Sequence, residues 1–155
     1  SLLQFYNTWK FKHPVGTDLM TIVEKNTNIE LGWYYQYMVN TNDLPDYSID
    51  TVYETGVKTS IVLGKRAQMP MPVDLYIEMK NGTKVYYTIP VDLMREPKKS
   101  DRDMAMLKDL PSWNWTNPNY DFTLDIPMND ILSIKIDPSK RMLDSDASSN
   151  EWLNK

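Results

Sequence analysis

Residues 73–89 read VDLYIEMKNGTKVYYTI, and in this stretch apolar residues alternate with polar ones on both sides of an Asn-Gly pair. Alternation with a period of two is typical of a β-strand that buries one face. Asn81-Gly82 is the strongest short signal for a hairpin, because both residue types accept the positive φ angles of a tight two-residue turn. The stretch therefore predicts two antiparallel strands joined by a hairpin.

The same alternation recurs on both sides of this hairpin. It predicts further strands at Tyr47–Tyr53, at Val57, Thr59, Ile61 and Leu63, at Tyr120, Phe122, Leu124 and Ile126, and at Leu132, Ile134 and Ile136. Trp113–Trp115 is a candidate for a short seventh strand. Short strands with turn signals between them predict a mainly β fold, an immunoglobulin-like antiparallel β-sandwich. The charged stretch Arg95–Asp109 interrupts the pattern, and we expect a long mobile loop with one helical turn at most.

The residues before Pro45 have a helical period instead. Apolar residues three and four apart predict a first helix over Leu2–Lys12, which Pro14 and Gly16 end. We expect Thr17 to cap a second helix with the buried stripe Leu19, Ile22 and Val23, and Asn28 to cap a third with Trp33, Tyr34, Tyr37 and Met38 on one face.

Three short helices with wide apolar faces cannot bury those faces among themselves. They are expected to pack on the sheet that follows or on a domain outside this chain. The sequence thus predicts a helical segment over residues 1–44 and a β-sandwich domain over residues 45–155.

Composition excludes several classes of partner. With 17 Lys and Arg against 21 Asp and Glu, the chain has a formal net charge of −4 and lacks the basic balance that nucleic acid favours. No apolar run approaches the roughly 20 residues that span a bilayer. The chain has no cysteine, so disulfide and thiolate chemistry are absent.

Several motifs, in their order along the chain, resemble one enzyme family. Trp9-Lys-Phe-Lys-His-Pro-Val-Gly-Thr-Asp-Leu19, followed by Glu24 and Leu31-Gly-Trp33, resembles the segment that closes the catalytic domain of M1 family zinc aminopeptidases. The later motifs resemble the C-terminal β-sandwich of the bacterial branch of that family: Met69-Pro-Met-Pro-Val-Asp74, Asn81-Gly82, Ile89-Pro90 with Met94, Trp113-Asn-Trp115-Thr116 and Ile136-Asp137-Pro138-Ser139. The resemblance covers nearly the whole chain.

The resemblance implies a parent enzyme that releases N-terminal residues from peptides at a zinc ion held by a His-Glu-x-x-His motif and a further glutamate. This chain has a single histidine, His13, and lacks that motif. We therefore expect a non-catalytic C-terminal portion with no catalytic, cofactor-binding or metal-binding residues of its own, the zinc belonging to the parent. Its partner would be the catalytic domain of the same polypeptide, contacted through Trp9, His13, Trp33, Tyr34 and Tyr37. Relatives of this kind are commonly exported, which favours a periplasmic or secreted location.

Two other interpretations stay open. The chain could be an independent module that binds carbohydrate or protein through Trp113, Trp115 and Tyr53; the two tryptophans, two residues apart, would share one face of a strand as a stacking surface or a buried anchor. It could also be a self-contained hydrolase with paired carboxylates, but no pair stands out.

Asp137, Asp144 and Asp146, with Ser139 and Asn150, could supply oxygen ligands to calcium, yet their spacing does not fit an EF-hand and favours a solvated tail.

Overall fold

The chain comprises a helical unit and a β unit. The computed structural model describes residues 1–94 and 107–155, and most of the predicted loop Arg95–Asp109 therefore lies outside the described residues. The helical unit extends over Ser1–Asn42, and the β unit begins at Asp43.

The helical unit contains α1 (Leu2–Trp9), α2 (Gly16–Thr27) and α3 (Gly32–Asn40). The helix α1 is shorter than predicted, since Phe11 adopts a positive φ of 64°. The predicted cap of α2 at Thr17 is wrong. Val15 is the N-cap, and its N–H donates to Oδ2 of Asp18 at 2.8 Å, so the carboxylate satisfies a free helix-terminal donor.

Asn28 ends α2 and does not begin α3, which corrects the predicted third cap. Its φ of 58° is left-handed, and its N–H donates to the Glu24 carbonyl at 2.8 Å. Asparagine serves equally well at a helix start and in a left-handed helix end, so the residue type alone does not separate the two roles. The side chain of Glu24 instead accepts from the Leu31 N–H at 2.7 Å, one residue before α3 begins.

The helical unit has almost no core. Among its helical residues, Ile22 alone is buried. Phe11 is 98% exposed, and other large apolar side chains are exposed as well: Leu2, Leu3, Tyr6, Val15 and Val39. Within the described residues, no helix is long and apolar enough to cross a membrane.

The β unit contains two sheets, which confirms the mainly β prediction. Its strands within the described residues are β1 (Tyr47–Thr55), β2 (Lys58–Lys65), β3 (Val73–Met79), β4 (Lys84–Ile89), β5 (Leu107–Asp109), β6 (Asn119–Leu124), β7 (Ile131–Ile136) and β8 (Glu151–Leu153), with short 3-10 turns at Met128–Asp130 and Ala147–Ser149. One sheet has the order β1-β2-β6 and the other β5-β4-β3-β7-β8. Neighbouring strands are antiparallel, except that β4 and β5 are parallel.

The six predicted strands are all present, and so is the hairpin. Gly82 has a φ of 82°, and the Met79 N–H donates to the Thr83 carbonyl at 2.9 Å across the turn. The suggested seventh strand at Trp113–Trp115 is wrong, because Trp113 forms only a single bridge to Val91. Residues Leu107–Asp109, predicted as loop, form β5 instead.

One hydrophobic core joins the two sheets. Buried side chains from both of them form a single cluster: Tyr47, Ile61, Leu63 and Leu124 from one sheet, and Val73, Leu75, Ile77, Tyr87, Ile89, Ile131, Ile134 and Ile136 from the other, with Trp113 and Met142. The two sheets therefore pack on each other, as facing layers of alternating strands do.

Two positions depart from the predicted alternation. Leu132 is 43% exposed while Ile131 is fully buried, because the pairing of β7 with β3 shifts by one residue between Glu78 and Met79. Such a bulge turns the side chains on either side of it to the same face. Val57 is exposed, since it lies in the two-residue turn between β1 and β2 and not in the strand.

Candidate functional site

An open cleft lies on the five-stranded sheet, on the face turned away from the core. Its volume is about 670 Å³, and it is lined by Tyr76, Lys84, Tyr86, Lys135, Ile136, Asp137, Pro138, Lys140, Leu143, Asp144, Ala147, Asn150 and Glu151. The residues Tyr76 and Tyr86 oppose each other across β3 and β4, with ring centroids 5.2 Å apart. They alternate along their strands with core residues such as Leu75 and Tyr87, so both rings lie on the face away from the core, where Tyr76 is only 9% exposed and Tyr86 is half-buried.

Two of the three lysines that line the cleft contact partners within it. The Lys135 ammonium lies 2.8 Å from the Glu151 carboxylate, and the Lys84 ammonium lies 5.8 Å from the Tyr76 ring centroid. Burial raises the pKa of Tyr76, and a hydrogen bond between Lys84 and the Tyr76 hydroxyl raises the pKa of Lys84. The hydrogen bond to Glu151 raises the pKa of Lys135. At neutral pH the phenol is therefore neutral and both ammonium groups are charged.

The rim of the cleft is the segment between β7 and β8, and it has an unusual backbone. Asp137, Lys140 and Leu143 have φ angles of 44°, 55° and 60°, values that non-glycine residues rarely adopt. Hydrogen bonds and burial hold the segment in this form. The Asp137 carboxylate accepts from the Met142 N–H at 2.7 Å, and Met142 is buried in the core.

This segment is ordered against the β unit, which corrects the expectation of a solvated tail. Asp144 accepts from the Tyr47 N–H at 3.0 Å and from the Asp146 N–H at 2.9 Å. Asp146 in turn accepts from the Ser148 N–H and hydroxyl, and these bonds lower its pKa. The three aspartates thus fix backbone N–H groups. Within the described ranges, no group of three or more His, Cys, Asp or Glu side chains is arranged to hold a metal ion.

Asn150 lies among the lining residues and is only 7% exposed. Its backbone is satisfied, since its N–H donates to Ala147 and its carbonyl accepts from the Ile136 N–H at 2.8 Å. Its side-chain oxygen is buried and has no hydrogen-bond partner among the described residues. A buried amide oxygen without a partner costs about 1–3 kcal/mol of desolvation free energy.

The two predicted surface tryptophans have different environments. Trp113 is 4% exposed, lies edge-on to Tyr47 at 5.4 Å, and stacks on Tyr120 at 5.3 Å. Its Nε1 donates to the Asn117 carbonyl at 3.0 Å. Trp115 is half-buried and has the Lys65 ammonium 6.0 Å from its ring centroid. Trp113 is therefore a core residue, and the two rings do not form a common exposed platform.

The five residues predicted to contact another domain all lie in the helical unit. His13 is exposed, while Trp9, Trp33, Tyr34 and Tyr37 are half-buried. Trp33 donates through Nε1 to the Glu30 carbonyl at 2.9 Å and meets the Tyr34 ring edge-on at 5.8 Å. The Lys12 ammonium lies 5.8 Å from the Trp9 ring centroid. The interdomain role of these residues stays a prediction.

Sequence reasoning missed the cleft. A signal was present, because Tyr76, Tyr86 and Lys84 occupy the outward positions of the hairpin. The other lining residues come from β7, β8 and the segment between them, which only the tertiary fold brings to this hairpin. Comparison of the chain with protein-family models, with curated proteins and with solved structures gives no match.

Proposed function

We propose that this chain is a non-catalytic C-terminal part of an M1-type zinc aminopeptidase and that it supports the catalytic domain of the same polypeptide. The observation that carries the proposal is the helical unit, whose helices bury only Ile22 and in which six large apolar side chains are exposed: Leu2, Leu3, Tyr6, Phe11, Val15 and Val39. Helices this short gain most of their stability from packing an apolar face, so these faces require a partner surface. The motif resemblance identifies that partner as the catalytic domain.

We further propose that the β unit is an immunoglobulin-like sandwich. In that fold the first, second, fourth and fifth strands share one sheet, and the third, sixth and seventh share the other, with added strands beside the third in variable-type domains. The order β1-β2-β6 and the part β4-β3-β7-β8 of the five-stranded sheet fit this arrangement when β6 is taken as the fifth strand and β7 and β8 as the last two. Among the described residues, β5 is then an additional edge strand and the fourth strand has no counterpart.

The proposal assigns the chemistry to the parent. Zinc would be bound in the catalytic domain, where it would activate a water molecule that attacks the first peptide bond of a peptide substrate. The chain itself, which has one histidine, is expected to show no peptidase activity.

The test is to isolate the native polypeptide that contains this sequence and to determine its mass and peptide sequence. We expect a polypeptide several times heavier than 18.2 kDa that contains a His-Glu-x-x-His motif and releases amino acids from aminoacyl anilides until a zinc chelator is added. A native polypeptide close to 18.2 kDa, or a longer one without that motif and without peptidase relatives, would overturn the proposal. The 155-residue chain, assayed in parallel, is the inactive control.

A further inference from the structure

We propose that the cleft on the five-stranded sheet is a binding site for a neutral saccharide. The proposal does not depend on the aminopeptidase assignment, since it uses only side chains of the β unit. Nor does it use Trp113 or Trp115.

The volume of the cleft is that of a site for a small ligand. Its volume of about 670 Å³ lies in the middle of the range of small-molecule sites, roughly 300–1,000 Å³. It is open on one side, so that a longer chain could continue beyond it.

The composition of the lining favours hydroxyl groups over a charged ligand. Three lysines in the lining (Lys84, Lys135 and Lys140) are balanced by three acids (Asp137, Asp144 and Glu151). An anion or a cation would therefore meet no excess of opposite charge. A hydroxyl group both donates and accepts hydrogen bonds, and it can use the ammonium donors and the carboxylate acceptors alike.

The cleft also offers apolar surface for the C–H faces of a sugar. Leu143 is 61% exposed at the rim, and Pro138 and the half-buried Tyr86 complete an apolar wall. An exposed leucine held at a left-handed φ of 60° is strained, because its Cβ comes close to the following carbonyl oxygen in that conformation. The rim is thus shaped before any ligand arrives, and ordering it costs no further entropy on binding.

The unpartnered oxygen of Asn150 supplies the second, independent observation. It belongs to a side chain more than nine-tenths buried in the lining of the cleft, and it lacks a donor. This oxygen has less than 1 Å² of accessible surface, so a sugar hydroxyl reaches it only when the neighbouring lining shifts slightly; the hydroxyl then supplies the missing donor and the desolvation penalty of the free protein is recovered.

The test begins with the full chain on an array of neutral and acidic glycans. The best-retained neutral glycan is then titrated into the ¹⁵N-labelled protein. We expect retention of a neutral glycan and amide shifts confined to the residues around Tyr86, Leu143 and Asn150. Retention of acidic glycans only, retention of none, or shifts that map elsewhere would each overturn the proposal.

Two variants make the test specific. Leu143→Asn keeps a residue that tolerates a left-handed φ and removes the apolar rim, and Tyr86→Ala removes one ring. Each is expected to weaken binding by about tenfold, the effect of losing one good contact of roughly 1.4 kcal/mol. Tyr53→Ala, which removes an exposed ring from β1 on the other sheet, is the matched control and is expected to leave the affinity unchanged. Equal affinity of wild type and Leu143→Asn would contradict the proposal even if Tyr86→Ala proved unstable.

Discussion

At the scale of single residues, Tyr47 links the core to the pH dependence of stability. Its hydroxyl donates to the Met71 carbonyl at 3.1 Å and accepts from the Met71 N–H at 2.8 Å. The pKa of Tyr47 is raised to about 12, chiefly by burial. The hydrogen bond with Met71 lowers this pKa, and the nearby Asp144 carboxylate raises it by a smaller amount. The unfolded chain loses this proton near pH 10, well before the folded chain does.

Stability should therefore fall as pH rises from about 10 to about 12, because the folded state retains a proton that the unfolded state has lost. When the pKa of a group is higher in the folded state, its contribution to stability is complete below the pKa of the unfolded state and is lost as the pH rises to the pKa of the folded state. Between about pH 10 and pH 12 this loss amounts to about 3 kcal/mol of unfolding free energy. Tyr47→Phe should cost about 1 kcal/mol at pH 8 and flatten this part of the profile. Urea unfolding of both proteins across the window isolates Tyr47, since the other tyrosines are common to both. Parallel profiles would contradict the assignment.

Gly64 gives a second prediction at this scale. A Cβ at this position would lie 2.7 Å from Ser48 Oγ and from Asp50 Oδ2, on the strand opposite. Asp50 cannot easily move aside, because it accepts from Ser48 Oγ and from Arg66 Nη2, each at 2.6 Å. Gly64→Ala should lower the free energy of unfolding by about 1–3 kcal/mol, measured by urea titration. Gly32→Ala, where a Cβ meets nothing within 4 Å, is the control and should change it little.

Urea titration can also distinguish the structural roles of Trp113 and Trp115. Trp113→Ala removes a buried ring that packs on Tyr47 and Tyr120, and it should cost about 3–5 kcal/mol. Trp115→Ala removes a half-buried ring and should cost less than half as much. Comparable losses for the two variants would contradict the core assignment of Trp113.

At the scale of elements, local signals and tertiary signals differ in what they predict. The hairpin at Asn81-Gly82 was predictable because its turn and both strand patterns lie within one stretch of sequence. The burial of Ile131 in place of Leu132 was not predictable, because it follows from a bulge in the pairing of β7 with β3, two strands that are distant in the sequence. β8 escaped prediction because three residues, Glu151–Leu153, are too few to show a period.

Substitutions in the first turn of α2 test whether Val15, and not Thr17, is the N-cap of this helix. Asp18 accepts from the Val15 N–H and lies in the first turn, where a negative charge also favours the helix dipole. Asp18→Ala should destabilise the helix by about 1 kcal/mol, seen as faster amide exchange along α2. Thr17→Ala is the matched control, because Thr17 lies inside the helix and is exposed. A larger effect from Thr17→Ala would restore the original prediction.

At the scale of the whole molecule, the sequence pattern predicted the two classes of structure but not the site that the β unit forms. The change from a helical period to strand alternation near Pro45 is local, so it could be read directly. The cleft required residues from Tyr76 to Glu151 to meet on one sheet face, and that depends on the strand order. The apolar faces of the helices were visible in the sequence, but whether anything covers them is a property of tertiary structure.

The difference in burial between the two units predicts a difference in local stability. The helices of the first unit bury Ile22 alone, whereas the core of the β unit includes the central strands β3 and β7. Local opening is easiest where few apolar groups are buried. Hydrogen exchange of the 155-residue chain, followed by mass spectrometry, should therefore show rapid exchange in α1–α3 and slow exchange in β3.

The same experiment on the native polypeptide connects this difference to the proposed function. If a catalytic domain covers the helices, their amides should be protected there to a degree close to that of β3, while β3 itself changes little. Helices that are already as protected as β3 in the 155-residue chain would contradict the inference, because their exposed apolar faces would then need no partner for stability.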